Sequence, residues 1–287
     1  MAVAGDTGYL AGGLLGVIEA EAIARLAKVS VTRNLCSVKS APKGDTISWI
    51  MYNDSTHVID SGDVTNTAEG TVTPTSKLQS VKKTATMDMY SVGTDLYDEA
   101  RLSDAGSPES ELGRILGNAV AAKIDNLLNA NFDNFSTSVG TSTVAITVDN
   151  LFSALSEIEA YQHLSAVSGV LHRKQIWGTN GLMNDLVTSS QFGGSPTVQG
   201  DALVNGFTGK VAGIDLYNSN ELTEASSAVK GGVFTRDAFG WGYVGQEIVV
   251  EKERQSDYIR DRYNAHFFAG TTEISDSAGV ELWTKTS

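Results

Sequence analysis

Three observations together predict an α+β fold. An unusually long amphipathic helix spans Ser107–Phe132, a long polar stretch between two alternating segments precedes it, and a mixed run of helices and strands follows. In the helix, Ser107 suits the N-cap, Pro108 the first helical position and Glu109 the positive first turn. Apolar residues then recur at helical spacing: Leu112, Ile115, Leu116, Ala119, Val120, Ile124, Leu127 and Leu128. The NANFDN sequence ends the stripe. At 1.5 Å per residue the helix is about 37 Å long, near twice the usual length. Glu111, Arg114, Lys123 and Asp125 interrupt it too often for a membrane span, so it reads as a scaffold strut.

Before it, residues 1–13 read as a loose arm ending in Ala-Gly-Gly, and Leu14–Val29 as an amphipathic helix with Leu15, Ile18, Ala22, Ile23 and Leu26 on one face. Such a helix must dock on its own domain or on a neighbouring copy. Thr46–Tyr52 and Thr84–Tyr90 alternate as strands, the second extending towards Tyr97. The 28 residues NDSTHVIDSGDVTNTAEGTVTPTSKLQS between them hold almost no large apolar side chain. A polar two-stranded excursion of this kind makes no core alone and calls for a partner surface.

After the strut, Ser138–Thr143 reads as a polar turn, and a helix capped by Thr147 or Asp149 runs through Leu151, Leu155, Ile158 and Tyr161. Val167–His172 reads as a strand, and Arg173–Trp177 and Leu182–Ser189 as short helices. Residues 191–200 form a glycine-rich loop, and Gly209–Asn218 a strand pair around Gly213. Ala228–Thr235 and Tyr243–Glu251 read as strands separated by Arg236–Gly242, and Asp257–Phe268 as a long strand.

The bulk numbers exclude several classes. With 287 residues the chain has ample core, and 41% apolar with 19% charged residues describes an ordinary globular protein. Its single cysteine, Cys36, excludes an internal disulfide and a thiolate metal cluster, and reads as a small buried hydrophobe. The net charge of −13 disfavours nucleic-acid binding, which needs clustered Lys and Arg. That charge is uneven, since residues 25–83 carry eight Lys and Arg against five acids, a local +3. Contacts between copies of the chain or plain solvation both account for this. No secretory signal pattern or apolar run near 18 residues is present, so synthesis in the cytoplasm and no membrane partner are expected.

Catalytic motifs are weak. Gly240-Trp-Gly-Tyr-Val-Gly245 matches the dinucleotide fingerprint, but a strand follows it, and Trp241 and Tyr243 would crowd the phosphates. His57, His163, His172 and His266 lie in four segments without metal-ligand spacing. Asp60, Asp63 and Glu69 lack Ca²⁺-loop spacing. The mixed-sign run Glu251–Arg262 balances four acids against four bases, and reads as a solvated strand and turn or as intersubunit ion pairs. No cofactor, metal ligand or catalytic residue is expected.

The order of parts resembles the major capsid proteins of tailed double-stranded-DNA bacteriophages, a fold shared with encapsulins and the herpesvirus capsid floor. Gly209-Lys-Val-Ala-Gly-Ile-Asp-Leu-Tyr-Asn-Ser-Asn220 and Val233-Phe-Thr-Arg-Asp-Ala-Phe-Gly240 are similar to segments of that family. The resemblance implies an N-terminal arm at 1–34, an extended β loop at 35–100, a peripheral domain with the spine helix at 101–146 plus 233–287, and an axial domain at 147–232. It implies a structural, non-enzymatic protein whose hexamers and pentamers close into an icosahedral shell around packaged DNA, held without sequence-specific binding. The implied partners are further copies of the chain, a separate scaffolding protein, a portal and a decoration protein. The implied location is the virion. Surface charges expected at contacts between copies are Lys39, Lys43, Asp60, Asp63, Lys77, Lys82, Lys83, Glu111, Arg114, Lys123, Arg254, Arg260 and Arg262. No Lys–Asn pair here maps onto the covalent cross-link of some relatives. The alternatives are an encapsulin-like compartment, a soluble enzyme with a dispersed catalytic site, and a β-rich adhesion module.

Overall fold

A computed structural model describes residues 7–52, 80–103, 108–159, 166–188, 207–211, 213–225 and 227–286. The chain begins with helix α1 (Thr7–Val29) and a single turn α2 (Thr32–Leu35). The helix therefore starts seven residues before Leu14, and residues 7–13 are not the loose arm expected. Gly12 and Gly13 cost about 1 kcal/mol each against Ala, which weakens a helix without ending it. Strand β1 (Ser37–Ala41) follows, then β2 (Thr46–Tyr52), β3 (Ser80–Thr86) and β4 (Asp88–Tyr97). The single strand expected from Thr84 is thus two. Met87, 4% exposed, is the joint at which the chain leaves β2 and begins to pair elsewhere.

A short helix α3 (Asp98–Ser103) leads to the strut α4 (Pro108–Asn129), with Pro108 at its first position. Ser107, the expected cap, lies outside the described residues. The helix ends at Asn129, and Ala130–Asn134 tightens into a 3₁₀ turn that carries Phe132 into the core. Ile115 and Ala119 are exposed, contrary to the expected stripe. The buried face runs instead through Leu112, Gly113, Leu116, Gly117, Val120, Ala121, Ile124, Asp125 and Leu128.

Beyond it come β5 (Ser138–Val139), α5 (Val148–Glu159), β6 (Val167–Leu171), α6 (Arg173–Trp177) and α7 (Leu182–Thr188). Thr147 is the cap of α5, its hydroxyl accepting from the Asn150 amide at 3.4 Å. Tyr161 and the glycine-rich loop at 191–200 lie outside the described residues. The chain closes with β7 (Phe207–Val211), β8 (Ile214–Asn218), β9 (Glu224–Ala225), β10 (Ala228–Thr235), β11 (Phe239–Val244), β12 (Val249–Gln255), β13 (Arg260–Glu273) and β14 (Gly279–Lys285). The expected strand Tyr243–Glu251 is interrupted at Gly245, so Phe239–Gly242, expected as a separator, belongs to a strand. A 3₁₀ turn at Ser256–Tyr258 likewise delays the long strand to Arg260.

Two sheets organise these strands. One has the order β1-β11-β13-β12, with β4 on the other side of β13. The other runs β5-β14-β10-β6-β8-β7, with β9 on β10. Both β1 and β4 lie in the stretch 35–100 yet pair with β11 and β13. That leaves β2 and β3 as the described strands of the stretch outside the two large sheets, paired with each other from Thr46↔Thr86 to Tyr52↔Ser80.

The buried face of α4 packs on the first sheet, where Trp241, Tyr263 and Ala265 are fully buried. Phe132, Phe135, Phe234 and Phe239 join that core to the second sheet, the Phe234 and Phe239 rings lying 4.6 Å apart. A second core under α5 and α6 gathers Leu151, Ile158, Ile176, Ile214 and Val233. The buried amide of Gln175 links α6 to this sheet, donating to Val229 O at 3.0 Å and to Thr284 Oγ1 at 2.8 Å.

Candidate assembly surfaces

Helix α1 is fastened to its own chain along one face. A Cβ added at Gly113 would lie 2.8 Å from Ile18 O, and one at Gly117 would lie 2.8 Å from Ala22 O. The two glycines therefore form a notch into which the α1 backbone fits, with Ile18, Ala22 and Leu26 buried against α4. Where the arm turns, Asp125 of α4 receives three donors: Ser30 Oγ at 2.6 Å, the Val31 amide at 2.9 Å and the Thr32 amide at 3.2 Å. Burial raises the Asp125 carboxyl above the usual range, and these hydrogen bonds oppose the shift. One turn on, Asn129 accepts from Thr32 Oγ1 at 2.7 Å and donates to Glu221 O at 2.8 Å. Cys36 is buried below the arm, and desolvation pushes its thiol up to about 12. Arg33 makes a two-armed ion pair with Glu247.

The β2–β3 hairpin is seated on the first sheet by a small core of Ile47, Trp49, Ala85, Met87 and Ile274. Of the fingerprint glycines, Gly240 and Gly242 leave room for this seat, since a Cβ on either would meet the Trp49 indole. Around it stand the expected cations. Lys39 donates to Ser48 O at 3.0 Å and lies 5.4 Å from the Trp49 ring. Lys43 and Lys82 are exposed, and Lys83 is half-buried. Asp60, Asp63 and Lys77 lie outside the described residues.

The charge run 251–262 is engaged within the chain. Asp261, with its side chain 3% exposed, faces Lys252 at 2.8 Å, Arg101 at 3.0 Å and Arg254 at 3.1 Å. Burial works to raise its carboxyl, and the hydrogen bonds from Lys252, Arg254 and Arg101 outweigh it, leaving the group below the usual carboxylate range. Arg254 also pairs with Asp98 at 2.6 Å. Arg260 and Arg262 share Asp95 at 2.7 and 2.8 Å, and Arg260 stacks 4.7 Å from the Tyr258 ring. Asp261 was missed as an anchor, although β13 signals it: it is in phase with the inward Tyr263, Ala265 and Phe267. On α4, Glu111 and Arg114 pair with each other on the exposed face, Arg114 Nε donating at 2.8 Å. Lys123 lies 5.4 Å from the Tyr90 ring, beside a notch of about 150 Å³ lined by Tyr90, Val92, Ala119 and Phe267.

His172 caps α6, its Nδ1 accepting from the Lys174 amide at 3.1 Å. His57 and His163 lie outside the described residues. No group of three or more His, Cys, Asp and Glu converges among those described. No described helix is long and apolar enough to cross a membrane.

Comparisons with known proteins place this geometry. No family model matches the chain. A major capsid protein of Staphylococcus phage phiMR11 is 29% identical over 187 residues, 65% of this chain. The match spans 62% of that relative, somewhat under two thirds of its length. Among solved structures, the capsid of cyanophage P-SCSP1u matches with a TM-score of 0.64 at 16% identity, covering 91% of this chain and 89% of that one. The capsid of Ralstonia phage GP4 matches with a TM-score of 0.65 at 11% identity, over 88% and 87%. The holo-SrpI encapsulin complex of Synechococcus elongatus PCC 7942 matches with a TM-score of 0.60 at 11% identity, over 87% and 85%. The chain has the α+β fold of the tailed-phage capsid proteins, as its order of parts led one to expect.

Proposed function

We propose that this chain is a major capsid protein, a structural and non-enzymatic subunit whose hexamers and pentamers close into an icosahedral shell around phage double-stranded DNA. The observation that carries this reading is the near-full-length agreement with phage capsid structures, joined to the sequence match with a protein named as a major capsid protein. The geometry is consistent with it: β2 and β3 form a two-stranded sheet outside the two large sheets with only a small core of their own, the kind of element that gains from a neighbour's surface. Many copies of a modest contact then sum to a stable closed lattice.

In this reading the arm is 1–34, the extended loop 35–100, the peripheral domain 101–146 with 233–287, and the axial domain 147–232. The outward-facing charges Lys43, Lys82, Glu111, Arg114 and Lys123 serve as neighbour contacts in this reading, and Asp60, Asp63 and Lys77 join them on sequence grounds alone. Lys83 is half-buried, and Lys39, Arg254, Arg260 and Arg262 act there through groups already partly engaged within the subunit. The net charge of −13 suits a wall that encloses DNA without gripping it. Scaffolding, portal and decoration proteins are the remaining partners, and the assembled product is the virion made in a host cytoplasm.

Electron microscopy of the purified protein, alone and with its scaffolding partner, tests the reading. Closed shells tens of nanometres across that hold DNA support it. A cargo enzyme inside shells of the same fold makes the protein an encapsulin instead. A persistent monomer or dimer under all conditions overturns both.

A further inference from the structure

Helix α1 is apolar on two opposite faces, and α4 covers one of them. Ile18, Ala22 and Leu26 lie in the glycine notch, whereas Gly16, Val17, Ala20, Ile23 and Ala24 form a crest on the other side. Val17 is 51% exposed and Ile23 44%, and among the described residues nothing beyond the helix's own backbone and the adjacent residues lies within 4 Å of where a Gly16 Cβ would sit. A helix that is apolar all round belongs in an interior. The charges bordering the crest identify its cover. Glu21 and Lys28 stand two turns apart on one flank, and Glu19 stands on the other. When two helices pair antiparallel about a two-fold axis, like flanks face each other, so Glu21 of each copy meets Lys28 of its partner twice over. A parallel pair would set the Glu21 flank against Glu19 and repel.

We propose that the α1 crest docks antiparallel on the α1 crest of a second copy, centred on Ala24. This rests on the shell reading and adds where the contact lies. A two-fold contact uses the same patch on both partners and cannot join successive members of a ring, so it ties one capsomer to the next. Gly16, Ala20 and Ala24 let the helix axes approach to the 8–10 Å of close helix packing.

Single cysteines test it in assembled shells, because Cys36 is buried and its thiol is held near 12. Under copper–phenanthroline oxidation, Ala24→Cys should give a chain dimer on a denaturing gel. Val17→Cys should stay monomeric, its two copies lying about 22 Å apart across the axis. Glu21→Lys or Lys28→Glu alone, placed in the Ala24→Cys chain, should lose the dimer band, and the double charge exchange should restore it. Equal dimers from both cysteines (a parallel pair), no dimer from Ala24→Cys, a product containing a different polypeptide, or no restoration each overturn the inference. Shells that never form from the wild-type chain reject the shell reading instead.

Discussion

Trp49 lies across Gly240 so closely that a Cβ there would fall 2.5 Å from Trp49 Cε2. The indole is 3% exposed and is the largest side chain of the small core that seats the β2–β3 hairpin. Gly240→Ala must therefore displace a packed ring, at a cost of about 1–3 kcal/mol. Urea unfolding followed by tryptophan fluorescence should register that loss, and protease cleavage within the hairpin should rise. A Gly240→Ala protein with the wild-type midpoint and cleavage pattern would refute this seat.

The notch at Gly117 carries a second expectation. The atoms met by an added Cβ are Ala22 O at 2.8 Å and Ala22 Cα at 3.0 Å, backbone that no rotamer change can move. Gly117→Val should lift α1 from α4, raising amide exchange along α1 while α5 keeps its protection. Uniform loosening of both helices would mean that the arm is not a separate unit.

Much of this was legible in the chain. The spine helix, β2 and the helices after β6 announce themselves by period and punctuation. Residues whose partner is distant in sequence were not legible. Asp125 reads as a surface charge interrupting a stripe, and only the arm 93 to 95 positions earlier makes it a buried cap. The pattern SVKSA has no large apolar residue, and its strand exists because β11 accepts it in parallel. The sequence argues against a phosphate loop at Gly240 and Gly242, but only the placement of Trp49 against them shows what their missing side chains are for. The partners of Arg254, Arg260 and Arg262 are equally illegible in sequence, since Asp98, Asp95 and Asp261 reach them through the β4–β13–β12 pairing.

Removing the Asp125 carboxylate should detach the arm's turn. Asp125→Ala leaves the Val31 and Thr32 amides without acceptors in a buried site and is expected to cost about 2–4 kcal/mol. Asp125→Asn keeps one acceptor and should lose less. Equal stability of all three proteins in denaturant titrations would show that solvent replaces the carboxylate freely.

The acid limit of stability should be set by Asp95, Asp98 and Asp261. A hydrogen bond from Arg262 is the largest influence on Asp95, and one from Arg254 on Asp98; both carboxyls are held below the ordinary value. Asp261 is lowered by its three cations despite burial. Each group binds its proton less readily folded than unfolded, so its contribution is fully present above the unfolded value of about 3.9 and is lost as pH falls through the lower folded value. Asp125 and Glu273, both raised by burial, have the opposite sign and contribute most at low pH, losing it as pH rises through their folded values. The corner of α3, β4, β12 and β13 should therefore loosen below about pH 4, while the arm's turn does not loosen at that end. Asp261→Asn should be less stable than wild type at neutral pH, because three cations then face a neutral amide, and its midpoint should fall less steeply in acid. Identical acid slopes for the two proteins would remove Asp261 from the titrating set and leave Asp95 and Asp98 to account for the acid transition.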